Sequence, residues 1–89
     1  MAGVISETGA TAGEWQPGDR VCALLAGGGY AEQVAVPHPL LLRLPDEWDF
    51  IRGAGLMEVF LTAFVNLFME AGLREGETVL IHGGASGVG

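Results

Sequence analysis

The spacing of apolar positions changes once along this chain, near residue 46. Upstream, apolar residues come in short runs broken by glycine and proline: residues 2–6, Arg20 to Leu25, Tyr30 to Val36 and Leu40 to Leu44. Each run predicts a short strand. Pro17-Gly18 between Gln16 and Asp19 predicts a type II turn, with proline setting φ and glycine free to take a positive φ. The triplet Gly27-Gly28-Gly29 predicts a hairpin joining its two flanking strands, or a sharp bend at the corner of a barrel. The first half is therefore expected to be all-β.

Downstream the period lengthens. Asp46 is expected to cap a first helical turn and Asp49 a second, as acidic side chains do at helix N-termini. Residues 48–56 predict a short helix interrupted by Gly53 and Gly55. Residues 58–71 predict a strong helix ending at Gly72. That helix is apolar on almost every face, the signature of burial, so Phe60, Leu61, Phe64, Val65 and Phe68 are expected in a core. After the turn Glu75-Gly76-Glu77, the run Thr78-Val79-Leu80-Ile81 predicts a covered strand of a parallel sheet. It leads into Gly83-Gly84-Ala85-Ser86-Gly87-Val88-Gly89.

That order, strand and then glycine loop, is how a dinucleotide-binding unit opens. Glycines permit the tight turn and let the main chain approach a pyrophosphate. On the G-x-G-x-x-G template, Gly84, Ser86 and Gly89 take the three key places, with serine replacing the middle glycine. A plain turn is the alternative reading of such a loop.

Composition narrows the classes. The 89 residues carry four basic and eleven acidic side chains, a net charge of −7. This argues against nucleic acid or an anionic membrane as partner, since either needs a basic face. Backbone amides still suffice for a nucleotide cofactor. The single cysteine, Cys22, permits no internal disulfide and points to a reducing cytoplasm. The longest apolar run, residues 59–69, is interrupted by Thr62 and Asn66 and is too short for a membrane span. No signal peptide is expected at the start of the sequence.

Four segments together resemble the medium-chain dehydrogenase/reductase family: Trp15-x-x-Gly18-Asp19-Arg20-Val21, Gly28-Gly29-Tyr30-Ala31-Glu32, Leu61-Thr62-Ala63-Phe64 and Val79 through Gly89. Their order is similar to the zinc-independent NADPH:quinone oxidoreductase branch, which includes the zeta-crystallin type. The resemblance implies a mixed α/β fold: residues 1–45 as the C-terminal part of a GroES-like β-domain, and residues 46–89 as connecting helices and the first helix, strand and glycine loop of a Rossmann domain. It implies a family chain several times longer, extending past both ends of this sequence, and a homodimer for the full-length protein.

The implied activity is NADPH-dependent hydride transfer to a quinone or a related activated carbonyl or enone. A zinc-free enoyl or alkene reductase of the same family is an alternative, and a truncated, non-catalytic interaction unit is another. The implied cofactor residues are Thr62, Gly84, Ser86, Gly87, Val88 and Gly89. Thr62 is placed near the nicotinamide, against the alternative that its hydroxyl bonds back one helical turn. Catalytic residues are not assigned. Where zinc-dependent relatives have a cysteine ligand, this chain has Glu58, read instead as a carboxylate at a helix N-terminus. Cys22, His38 and His82 form no recognisable ligand set, so no metal is expected. His82 is expected to bond backbone at a strand end, His38 to be exposed, and Cys22 to be a small apolar core residue. With no nucleophile–base pair in view, the chemistry suits a cofactor that carries the reaction itself.

Overall fold

A computed structural model describes residues 1–89. The protein is mixed α/β: three short antiparallel strands, β1 (Ala2–Val4), β2 (Arg20–Cys22) and β3 (Leu42–Arg43), precede a long helix, α1 (Phe50–Phe64), which continues as a π-helical stretch Val65–Glu70. The chain divides into two compact units, Met1–Met57 and Glu58–Gly89.

In the first unit the strands run in the order β1-β2-β3. Ala2 pairs with Cys22 and Val4 with Arg20 on one side of β2, while Val21 pairs with Arg43 and Cys22 with Leu42 on the other. Bonds from Ile5 N–H to the Asp19 carbonyl and from Leu44 N–H to the Arg20 carbonyl extend both ladders. Because successive side chains of a strand face opposite ways, the burial of both Val21 and Cys22 shows β2 covered on both faces. Ala23, Leu44 and Met57 complete a small core.

The turn at residues 16–19 forms as read. Asp19 N–H reaches the Gln16 carbonyl at 3.1 Å, and Gly18 has φ +97°. The expected strand at residues 30–36 does not form, and with it goes the hairpin through the glycine triplet. β2 is the central strand, so β1 and β3 already occupy both of its ladders and no hairpin partner can pair with it. Residues 30–36 are instead a largely exposed loop, with Tyr30 fully in solvent. The run at residues 40–44 shortens to β3, because His38–Leu40 closes a 3-10 turn after Pro37.

Residues 48–56 and 58–71 do not make two helices but one, starting at Phe50. Asp49 is its N-cap: Oδ1 accepts the Arg52 amide at 2.7 Å, and its carbonyl takes the first helical bond from Gly53. Asp46 caps nothing and lies in the turn before it. Gly53 interrupts nothing either. It is buried, and a Cβ built on it would stand 2.7 Å from Leu44 Cδ1 and 3.2 Å from the Ala2 Cβ, so glycine is required for close packing. Gly72 ends the helix with φ +64°, and Leu73 N–H closes onto the Leu67 carbonyl.

The continuous helix also corrects the reading of its apolar run. Phe50–Glu70 spans 21 residues, and an 18-residue stretch of it reaches a mean hydropathy of 1.4, enough to cross a membrane by length and composition. A core helix in a soluble domain meets the same two criteria. Thr62 and Asn66 do not break the run because each bonds back, Thr62 Oγ1 to the Glu58 carbonyl and Asn66 Nδ2 to the Thr62 carbonyl, both at 2.7 Å. Phe60, Phe64, Val65 and Phe68, expected in a core, are exposed. An all-round apolar surface requires cover, and the elements of these 89 residues do not supply it.

Asp19 joins the turn to β3. Its carboxylate accepts the Gln16 amide and pairs with Arg43 at 3.0 Å, while the Arg43 guanidinium lies over the Trp15 ring. The Gln16 amide first, and Arg43 second, hold the Asp19 carboxyl below its ordinary 3.8. A depressed folded-state pKa contributes stability that is present above the unfolded value and is lost as pH falls through the folded one. The melting temperature is therefore expected to drop with acidification starting near pH 3.8 and continuing below it. Asp19→Asn should flatten that part of the profile, and an unchanged slope in the variant would contradict the assignment.

Candidate cofactor-binding loop

The second unit carries the glycine loop. Upstream of it, Glu77 N–H bonds the Arg74 carbonyl and the Arg74 amide bonds Glu77 Oε2 at 2.6 Å, with Gly76 at φ +85°. The turn read at residues 75–77 is present. The expected strand at residues 78–81 is not: these residues adopt no regular element, and Leu80 is 81% exposed. An apolar segment becomes a strand only by pairing, and no segment of this chain pairs with it. His82 is consequently not at a strand end; it is exposed and opens the next turn.

From Gly83 the backbone turns sharply and closes on itself. Gly83 has φ +70°, and its carbonyl accepts the Ser86 amide at 2.8 Å. Ser86 Oγ in turn accepts the Gly89 amide at 3.1 Å. A Cβ on Gly89 would run into the Gly83 carbonyl oxygen and stand 2.7 Å from Gly84 Cα, so a side chain there would force the loop open. Gly87 lies near Val59, whose Cγ1 is 3.7 Å from where a Cβ would sit. The amides of Gly84, Ala85, Gly87 and Val88 donate to nothing in the chain, and all four residues are exposed. Unengaged amides on a side-chain-poor loop are the donor set that suits the oxygens of a diphosphate. The loop thus brings Gly84, Ser86, Gly87, Val88 and Gly89 together within one turn.

Thr62 lies on the helix, exposed, with its hydroxyl proton engaged by the Glu58 carbonyl. Its oxygen retains lone pairs for an incoming donor. Glu58 is not at a helix N-terminus: the helix begins eight residues earlier, and Glu58 is an exposed mid-helix carboxylate. Cys22 is fully buried, and burial pushes its thiol pKa up, with the nearby N-terminal ammonium a smaller opposing influence. His38 is exposed beside Gly13.

The first unit contains a feature the sequence reading missed. An open cleft of about 630 Å³ is bounded by residues 1–9 on one side and residues 31–36 on the other, with Trp15, His38 and Ala54 on its walls. No sequence signal marks it, because one of its walls is the loop that reads as a strand.

No family model matches the chain. Individual proteins do, over its whole length. A compactin diketide synthase of Penicillium citrinum is 46% identical over 99% of this chain. A quinone oxidoreductase of Pongo abelii is 38% identical over 100% of it, and a reducing polyketide synthase of Hypomyces subiculosus 36% over 99%. Over its whole length the chain is similar to these proteins, which is consistent with a fragment of a medium-chain dehydrogenase/reductase. It spans 4% of the length of each of these two synthases and 27% of the quinone oxidoreductase. In medium-chain dehydrogenase/reductase terms it therefore corresponds to one segment of much longer chains, whether these stand alone or are built into synthases.

Proposed function

We propose that this chain is part of an NADPH-dependent oxidoreductase of the zinc-independent, quinone-reductase branch, acting on a quinone or a related activated carbonyl or enone. One observation carries the reading: the whole chain is 38% identical to a segment making up 27% of the quinone oxidoreductase of Pongo abelii. The glycine loop is consistent with it. In this reading residues 1–45 belong to a GroES-like β-domain and residues 46–89 open a Rossmann domain. NADPH, when bound, supplies the hydride. The free amides of Gly84, Ala85, Gly87 and Val88 hold the diphosphate, Ser86 and Gly89 keep the loop closed behind it, and the Thr62 oxygen accepts a hydrogen bond at the nicotinamide end. With a net charge of −7, long-range attraction does not assist an anionic cofactor, so local amides must carry its recognition. A lone buried cysteine supports a cytoplasmic setting, and the protein is proposed to act as a homodimer.

A cofactor that binds only the folded state stabilises it by about 2.7 kcal/mol at a hundredfold excess over Kd. NADPH added to the full-length protein should raise its melting temperature by several degrees and quench tryptophan fluorescence. No response to millimolar NADPH or NADH would count decisively against the reading.

A second reading, a zinc-free enoyl or alkene reductase, is favoured by the matches to polyketide synthases, one of them a reducing synthase. Assaying NADPH oxidation with a benzoquinone against an α,β-unsaturated thioester separates the two. Turnover of the thioester alone would transfer the assignment to the second.

A further inference from the structure

We propose that Ser86 is a positioning residue, a latch that holds the glycine loop in the form that presents its free amides; this rests on the diphosphate reading above. Two bonds meet at Ser86. Its amide donates to the Gly83 carbonyl at 2.8 Å, and its hydroxyl oxygen accepts the Gly89 amide at 3.1 Å. Between them they close residues 83–89 into one turn, and the contact of Gly89 with the Gly83–Gly84 backbone leaves no room for a side chain at the closing point. A serine oxygen taking the amide three residues on is the N-cap pattern, and it fixes the direction in which the following backbone leaves.

The consequence is a division of labour among the loop amides. Those of Ser86 and Gly89 are engaged inside the turn, whereas those of Gly84, Ala85, Gly87 and Val88 are available. Glycine at the same template position has no hydroxyl to make the second bond. A chain with so many glycines loses a large conformational entropy when it orders, and a pre-closed turn has already met that cost before an anion arrives. Ser86 acts inside the turn as donor through its amide and as acceptor through its hydroxyl oxygen. It organises the backbone donors on either side.

The test uses the 15N-labelled chain with Ser86→Ala and Ser86→Thr variants and two readouts. The first is amide hydrogen exchange without ligand. Loss of one modest hydrogen bond should speed exchange at Gly89 about fivefold in Ser86→Ala, while Ser86→Thr keeps protection. Unchanged Gly89 exchange in Ser86→Ala would overturn the latch. The second is titration with inorganic pyrophosphate, followed by amide shifts. Shifts at Gly84, Ala85, Gly87 and Val88, with affinity several-fold weaker in Ser86→Ala and retained in Ser86→Thr, would establish the positioning role. Equal affinity in the alanine variant would remove that role and leave the diphosphate reading intact. A latch that passes the exchange test while pyrophosphate shifts no loop amide would reduce Ser86 to a structural cap and remove the loop's part in the proposed function.

Discussion

Replacing Arg20 with methionine is expected to lower the unfolding free energy of the chain by about 3 kcal/mol, measured by urea or thermal denaturation. One guanidinium serves three backbone carbonyls: Nη1 donates to Pro45 O at 3.0 Å and Asp46 O at 2.8 Å, and Nη2 donates to Trp48 O. The same group lies over the Phe50 ring, 4.8 Å from its centre. It thereby ties central strand β2 to the turn that launches α1. Methionine keeps the stem's apolar packing and leaves those carbonyls without their donor. The neighbouring Asp46 carboxylate contributes little, at 3.7 Å and 99% exposed, so Asp46→Asn should be nearly neutral. Arg20→Lys should restore less than half of the loss, because a single ammonium cannot reproduce the planar fork. A methionine variant within about 0.5 kcal/mol of the parent would contradict this account.

The second large effect is expected at Gly53. Gly53→Val should cost about 2 kcal/mol through overpacking, since its Cβ already meets both Leu44 methyls at 2.7 and 2.9 Å and the Ala2 Cβ at 3.2 Å. Leu44 is 2% exposed and cannot swing away freely. Two residues on, Gly55 has nothing within 4 Å of a built Cβ. Gly55→Ala should therefore stabilise the helix by up to about 1 kcal/mol through propensity alone. The opposite signs separate close packing from helix breaking as the reason for these glycines. If both substitutions destabilised equally, packing at Gly53 would not be the cause.

Much of the local structure was legible in the residues. The Pro17-Gly18 turn, the Asp49 cap and the Gly72 stop all depend on neighbours within a few positions, and the apolar runs that contain β1, β2 and β3 stood out as well. The failures share another cause. Residues 30–36 and 78–81 have strand-like composition but find no partner, and pairing is a property of two segments rather than one. Gly53 and Gly55 read alike as helix interruptions. Only the third dimension separates them, because Leu44 and Ala2 come up against one and not the other. Thr62 and Asn66 read as polar breaks in an apolar run, yet each engages a backbone carbonyl one turn away and leaves the helix intact.

For the candidate site the division is similar. The glycine loop and its residues were visible as a motif. Which of its amides are free was not, since that depends on where Ser86 Oγ and the Gly83 carbonyl come to lie. Nor was the cleft beside β1, whose walls are far apart in sequence. By itself, then, the sequence determined turn chemistry, the Asp49 cap, the Gly72 stop and the apolar character of residues 58–71. Tertiary structure alone decided strand partners, the reason for Gly53, and the split between engaged and available donors. The physical reason is range: backbone preferences act over one turn of chain, whereas pairing, close packing and hydrogen-bond competition depend on atoms that only folding brings together.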